Sequence, residues 1–249
     1  MPCPEFTYPL IRLQQTESTN RYLQDLSSRQ EVEEFTAVVA EYQTAGRGQR
    51  GNVWEAEAHK NLLFSILLRP HFLEAGRQFL LSQAVSLAIY RSLESLVPKL
   101  SIKWPNDIYA DNRKIAGILI ENELMGSTIC HSIVGVGLNV NQQQFTGQAP
   151  NPISICHFTH REENRLALLY NIVSHLVSTY ETLRQGLSAQ LEADYARALF
   201  RKQGFHRFRD LTGAFTARID RVTSDGQLHL VDEQGHCRAY RFKEVEFVP

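Results

Sequence analysis

The sequence predicts an α/β (α+β) protein, a mixed sheet packed with helices, followed by a small C-terminal antiparallel β-barrel. Two observations carry this expectation. Up to residue 204, apolar runs of strand length such as 36–42 and 61–69 are interspersed with stretches of helical spacing such as 76–97. From residue 205 only short β-like runs remain, at 214–223, 227–231, 237–242 and 245–248. Turns at Ser224-Asp225-Gly226 and Glu233-Gln234-Gly235 separate them. The chain therefore divides into 1–204 and 205–249, the second an attached module that shares an interface with the first.

Residues 1–15 read as a first strand and turn. Ser18, Thr19 or Asn20 then caps a helix whose Tyr22, Leu23 and Leu26 have helical spacing. The same hydroxyls and helix-end amides also suit a polar ligand. A buried strand at 36–42 leads into a segment of glycines and arginines. Residues 61–69 form a central strand, because the apolar run is nearly continuous, and Pro70 stops it. A long helix covers 76–97, with Leu80, Ala84, Leu87 and Ala88 on one face and Pro98 beyond its end. Strands at 101–104 and 114–121 bracket a tight segment, within which Asp111-Asn112 is a turn. A further strand at 127–140 ends in G-V-G-L-N-V. A loop rich in Gln, Asn and Pro follows at 141–152, then helices at 161–185 and 188–202.

Composition excludes several functions. A formal net charge of -1 supplies no global field toward nucleic acid or an anionic membrane. Any anion chemistry must come from local clusters. Cys3, Cys130, Cys156 and Cys237 are scattered without a C-x-x-C, so neither a zinc site nor a disulfide framework is expected, and a reducing compartment fits. The N-terminus lacks the pattern of a signal peptide, and no apolar run approaches the ~20 residues that span a bilayer. The expected location is the cytoplasm. No G-x-x-x-x-G-K-[ST], H-E-x-x-H or G-x-S-x-G occurs, which removes P-loop, zincin and α/β-hydrolase chemistry.

Three clusters suit chemistry. In E-Y-Q-T-A-G-R-G-Q-R-G-N-V-W (41–54), Gly46, Gly48 and Gly51 let the backbone approach an anion, and Arg47 and Arg50 add donor forks. A charged hairpin tip has the same composition. In K-W-P-N-D (103–107), Lys103, Asn106 and Asp107 share one loop, and the hairpin return brings Lys114 close. In G-V-G-L-N (135–139), the glycines let a flat ring lie against the backbone with Asn139 at its edge, or else mark a β-bulge.

Taken in order, S-T-N (18–20), the 41–54 segment, K-W-P-N-D, R-K-I-A-G-I-L-I-E (113–121) and G-V-G-L-N-V (135–140) resemble the biotin protein ligases. The resemblance covers roughly residues 10–145, and the tail resembles that family's SH3-like C-terminal domain. It implies ATP-dependent activation of biotin as biotinyl-5′-AMP. Transfer to a lysine of a biotin carboxyl carrier protein would follow, with ATP and biotin as substrates and Mg²⁺ carried on the phosphates. Carried over by position, Ser18, Thr19, Asn20, Gln43, Arg47, Gly48, Gln49, Lys114 and Gly117 bind biotin. Arg50, Trp54, Lys103, Asn106 and Asn139 lie at the nucleotide, and Lys114, Arg47 and Asp107 are catalytic.

Two departures stand out. Many bacterial relatives read G-R-G-R-x-G where this chain has Gly46-Arg47-Gly48-Gln49-Arg50-Gly51, which implies weaker retention of the adenylate unless Arg50 compensates. S-T-N begins at residue 18, leaving no room for the DNA-binding domain of some relatives, so a ligase-only type with no DNA or membrane partner is expected. A homodimer through a sheet edge stays open. The alternatives are a lipoate–protein ligase and a non-catalytic nucleotide- or RNA-binding module, the latter disfavoured because aromatics flank the loop only at Tyr42 and Trp54.

Overall fold

The computed structural model describes residues 7–147 and 151–248. Seven strands form the main sheet: β1 (Leu10–Thr16), β2 (Ala37–Gln43), β3 (Leu62–Leu68), β4 (Leu100–Lys103), β5 (Asp107–Ala110), β6 (Arg113–Met125) and β7 (Thr128–Leu138). Their order across the sheet is β1-β2-β3-β7-β6-β5-β4. β1 and β2 run parallel and every other neighbouring pair is antiparallel, so the sheet is mixed.

Helices cover both faces. α1 (Thr19–Arg29) lies on one face, where Leu23 packs with Val38, Leu67 and Ile133 in a core of its own. On the other face α2 (Phe79–Leu93) packs against α4 (Arg165–Arg184) and α5 (Ser188–Ala198), after a one-turn α3 (Cys156–Thr159). α2 is buried nearly all round because it lies between the sheet and two further helices, and eleven of its residues are buried. β3 is buried along its whole length, as its continuous apolar run predicts.

The second sheet joins β8 (His206–Asp210), β9 (Gly213–Val222), β10 (Leu228–Asp232), β11 (Cys237–Tyr240) and β12 (Glu246–Phe247) in the order β11-β10-β9-β8-β12. It curls round Phe208, whose ring meets Phe215 at 6.0 Å and Phe247 at 5.1 Å. Among the described residues no ladder joins β11 to β12, so the barrel is partly open. Its core is continuous with that of the main sheet. Trp104 binds the two together: its indole Nε1 donates to the Gly226 carbonyl at 3.0 Å and its ring faces Phe242.

Two strands depart from the sequence expectation. The segment between the strands at 101–104 and 114–121 contains β5, four residues of D-I-Y-A paired on both sides, and the Asp111-Asn112 turn joins β5 to β6. Asp111 has φ 54°, a left-handed conformation that aspartate tolerates. β8 was hidden because H-R-F-R-D buries a single apolar side chain, Phe208.

Because Leu23 is fully buried and holds α1 on the sheet, Leu23→Ala is expected to cost about 2–5 kcal/mol. Chemical denaturation of the two proteins measures this, and a loss below about 1 kcal/mol would mean that α1 is seated by other contacts.

Candidate active site

The face of the main sheet that carries α1 also carries a cleft of about 790 Å³. Its floor is the central pair β6–β7, where Gly117 stands opposite Gly137 and Leu119 opposite Gly135. The glycines are required by what lies on them. A Cβ on Gly137 would collide with the Trp54 indole, one on Gly135 with the Asn20 amide oxygen, and one on Gly117 would sit 2.9 Å from Trp54 Cζ3. Any side chain at these positions would raise the floor into the cleft.

One end of the cleft is a closed polar network at the start of α1. Thr19 donates from its backbone N (2.7 Å) and its hydroxyl (3.0 Å) to Gln43 Oε1. The Ser65 hydroxyl lies 2.7 Å from Thr19 Oγ1 and 2.6 Å from Asn20 Oδ1. Asn20 Nδ2 donates to Glu121 Oε2 at 2.7 Å, and Arg47 Nη2 reaches the same oxygen at 3.0 Å. Ser18 occupies the N-cap position without a side-chain cap bond, so these side chains build the pocket rather than cap the helix.

The other end is cationic. Lys114 Nζ lies 2.7 Å from Asp107 Oδ1 and 5.5 Å from the centre of the Trp54 ring. Lys114 owes its direction to an irregular register: Asp107 pairs with Gly117 and Ile108 with Ala116, but Tyr109 pairs with Lys114, leaving Ile115 as an extra residue. The bulge sends Ile115 (0% exposed) into the helical core beside Ala116 and turns Lys114 to the cleft. Lys103 Nζ is bound to the Tyr109 hydroxyl at 3.0 Å and lies under the Phe247 ring. Burial lowers the pKa of its ammonium; Asp107 opposes the shift, and Lys114 and Arg201 add to it. Burial and the nearby Asp107 carboxylate push the Tyr109 hydroxyl up to about 12, so it stays a neutral partner for Lys103.

The segment 44–54 arches over the floor. Its ends are tied by Trp54 N donating to Gly46 O (3.0 Å) and Gly48 N to Asn52 O (2.7 Å). Among the described residues no acceptor meets the buried Trp54 indole N–H. An unpaired buried donor above a glycine floor suits a ring that gives way to, or closes on, a ligand. The second sheet supplies a wall through Phe242, Lys243, Val245, Glu246 and Phe247.

Of the residues singled out in the sequence, Ser18, Thr19, Asn20, Gln43, Arg47, Gly48, Gln49, Trp54, Lys103, Asn106, Asp107, Lys114 and Gly117 all line this one cleft. The Arg50 side chain lies outside the described residues. Asn106 lines the cleft, but its amide donates to the Ile118 carbonyl at 2.6 Å and its own carbonyl accepts from Ile118 N, so it anchors the turn to β6. Asn139 does not line the cleft. It is buried past the end of β7, bonded through its backbone to Ile115 and Ile155. Ser65, Glu121 and the wall from the second sheet escaped the sequence reading. Ser65 had a signal, as the lone polar residue of an otherwise apolar strand. Glu121 follows from alternation, since 117, 119 and 121 share a face.

A mixed sheet with a glycine floor, a polar network at one end of the cleft and two lysines at the other defines an enzyme cleft for a polar small molecule. The model of the biotin/lipoate A/B protein ligase family matches residues 12–139, just over half of the chain. The chain belongs to that family. It is 28% identical over 233 residues to the bifunctional ligase/repressor BirA of Bacillus spizizenii, covering 90% of this chain and 69% of that protein. With the Escherichia coli bifunctional ligase/repressor BirA the identity is 39% over 129 residues, half of this chain and 38% of that one. With the Mycobacterium tuberculosis biotin–[acetyl-CoA-carboxylase] ligase it is 35% over 132 residues, 51% of this chain and 48% of that one. The latter two alignments thus span half or less of those relatives' lengths. In fold, the biotin protein ligase of Aquifex aeolicus in complex with biotin and ATP superposes with a TM-score of 0.79 at 24% identity, over 96% of this chain and 99% of that one.

Because the Trp54 ring rests on Gly137, Gly137→Ala is expected to lift it. Acrylamide quenching of tryptophan fluorescence should rise while buried Trp104 gives a constant background, at a stability cost of about 1–3 kcal/mol. Unchanged quenching would show that the indole does not lie on this floor.

Proposed function

We propose that the protein is a biotin protein ligase that activates biotin with ATP and transfers it to a lysine of a biotin carboxyl carrier domain. The observation that carries this reading is the Lys114–Asp107 pair, turned into the same cleft as the Thr19–Gln43 pocket by the bulge at Ile115. The names of the Mycobacterium tuberculosis and Aquifex aeolicus proteins favour biotin over lipoate. Residues 1–204 form the catalytic domain and 205–249 an appended barrel. The protein acts in the cytoplasm, without DNA or a membrane as partner. No described helix is long and apolar enough to cross a membrane.

Each step uses groups already in place. The ureido ring enters at the Thr19–Gln43 end over Gly117, and its carboxylate points toward Lys114. A carboxylate oxygen bonds to the α-phosphorus of ATP while the bond to the β-phosphate oxygen breaks and pyrophosphate leaves. Two anions must meet, so the step needs fixed cations that offset repulsion and stabilise the charge that moves onto the leaving group. Arg47, Lys103 and Lys114 supply them. Asp107 is already paired with Lys114, Glu121 beside the cleft is paired with Arg47, and Glu246 stands in the wall, so among the described residues the cleft offers no free acidic pair to hold a resident Mg²⁺. The ion fits as a companion of the nucleotide phosphates, whose charge it neutralises.

When Lys114 turns to the substrate oxygens it leaves Asp107. The freed carboxylate then takes a proton from the incoming lysine ammonium, the amine attacks the acyl carbon, and AMP departs. Trp54 and the 44–54 segment close over the mixed anhydride and keep water from it. Gln49 contributes no fixed charge to that cover, so Gln49→Arg should slow release of the adenylate.

Biotin-dependent exchange of pyrophosphate into ATP tests the reading. Lys114→Ala should lower exchange about 10²–10³-fold. Asp107→Asn should leave exchange largely intact and slow transfer to the carrier lysine about 10²-fold. Exchange with lipoate but not biotin would move the protein to the other branch of its family, and no exchange with either would overturn the proposal.

A further inference from the structure

The far end of the β6–β7 hairpin carries a second irregular register. Glu123 stands opposite His131 and Leu124 opposite Ile129, so Cys130 is an extra residue in β7. In a regular strand adjacent side chains point to opposite faces. Here Ile129 (0% exposed) packs into the helical core, while Cys130 and His131 both remain partly exposed on the side of Glu123. His131 Nε2 lies 3.5 Å from Glu123 Oε2. One ligand atom from each of Glu123, Cys130 and His131 lies within 4.8 Å of the other two. Among the described residues this is the one group of three such side chains within mutual reach.

We propose that Glu123, Cys130 and His131 form a binding site for a divalent transition metal of the zinc class, with the fourth position open to solvent. Ligands 2.0–2.3 Å from a tetrahedral ion stand about 3.3–3.8 Å apart. The His131–Glu123 separation already falls in that range. Bringing all three ligand atoms into that range needs side-chain rotation from separations within 4.8 Å, and Glu123, 64% exposed, turns most readily, whereas His131 is only 15% exposed. A thiolate and an imidazole beside one carboxylate select zinc or cobalt over magnesium. The thiol proton is released to solvent as the sulfur–metal bond forms, with no change of oxidation state. The spacing of the cysteines along the chain argued against a zinc site, because its ligands come from both arms of a hairpin and from a bulge.

The site lies beside the cleft rather than within it. Glu123 is two residues beyond Glu121 on the same face of β6, about 7 Å along the strand, and Glu121 takes both Arg47 and Asn20. A bound dication therefore lies next to the anchor of the arginine segment.

Cobalt reports directly on a thiolate ligand. The reduced, metal-stripped full chain is titrated with Co²⁺ and followed by absorbance. One equivalent should bring up a sulfur-to-cobalt band in the near ultraviolet with tetrahedral visible bands, which Zn²⁺ abolishes and excess Mg²⁺ does not. Cys130→Ser should remove the ultraviolet band, and His131→Ala should weaken Co²⁺ binding at least about tenfold. Biotin-dependent pyrophosphate exchange should persist in C130S, which shows that the variant is folded. No band in the unmodified protein, an identical band in C130S, or unchanged Co²⁺ affinity in H131A would each overturn the proposal.

Discussion

The register of β6 is the constraint on which the cleft depends. Gly117, Leu119 and Glu121 follow strict alternation along its cleft face, and strict alternation would put Ile115 next. The extra residue opposite Ile108 and Tyr109 breaks that sequence, so Ile115 goes to the core and Lys114 takes the cleft side. One residue of slip would bury a lysine among helices and expose an isoleucine to the cleft. Both outcomes cost free energy, the first far more, because an unpaired ammonium would leave water. The bulge is therefore held by the core as well as used by the cleft.

Around that strand the cleft is assembled from distant parts of the chain, each fixed by a different force. Apolar burial of Leu23 seats α1. A hydrogen-bonded chain from Gln43 through Thr19, Ser65 and Asn20 to Glu121 then sets the polar end and reaches Arg47. The absence of Cβ atoms at Gly117, Gly135 and Gly137 leaves depth for a ring, which Trp54 occupies. The second sheet closes one side, anchored by Trp104 on Gly226 and by aromatic contacts between Phe200 and Phe247. Lys103 is half-buried at that junction, which explains why its ammonium is easier to deprotonate than usual while its partner Tyr109 is harder.

The two bulges involving β6 do related work at opposite ends of one strand. Near Ile115 the extra residue puts a lysine beside an aspartate; near Leu124 the partner's extra residue puts a cysteine beside a histidine and a glutamate. Antiparallel pairing alone would place neither set on one face. Glu121 lies between them and ties the arginine segment to the sheet.

Much of the architecture was legible because it is local. The apolar run 61–69, the helical spacing of 76–97 and the turn at Asp111-Asn112 each declare themselves within a few residues, since backbone conformation answers to neighbours in sequence. The short motifs likewise named thirteen residues that line one cleft. Tertiary structure alone decided the rest. β5 has only four residues between turn-formers, and β8 buries one phenylalanine, so both exist through their partners. Asn139 shares a motif with Gly137 but is buried past the end of β7, whereas Ser65 enters the polar chain from a strand with no motif and Glu121 from the last position of one that drew attention for its other residues. Which residue of Lys114-Ile115 faces the cleft is a question of register. Pairing between segments far apart in the chain sets register, and no local periodicity encodes it.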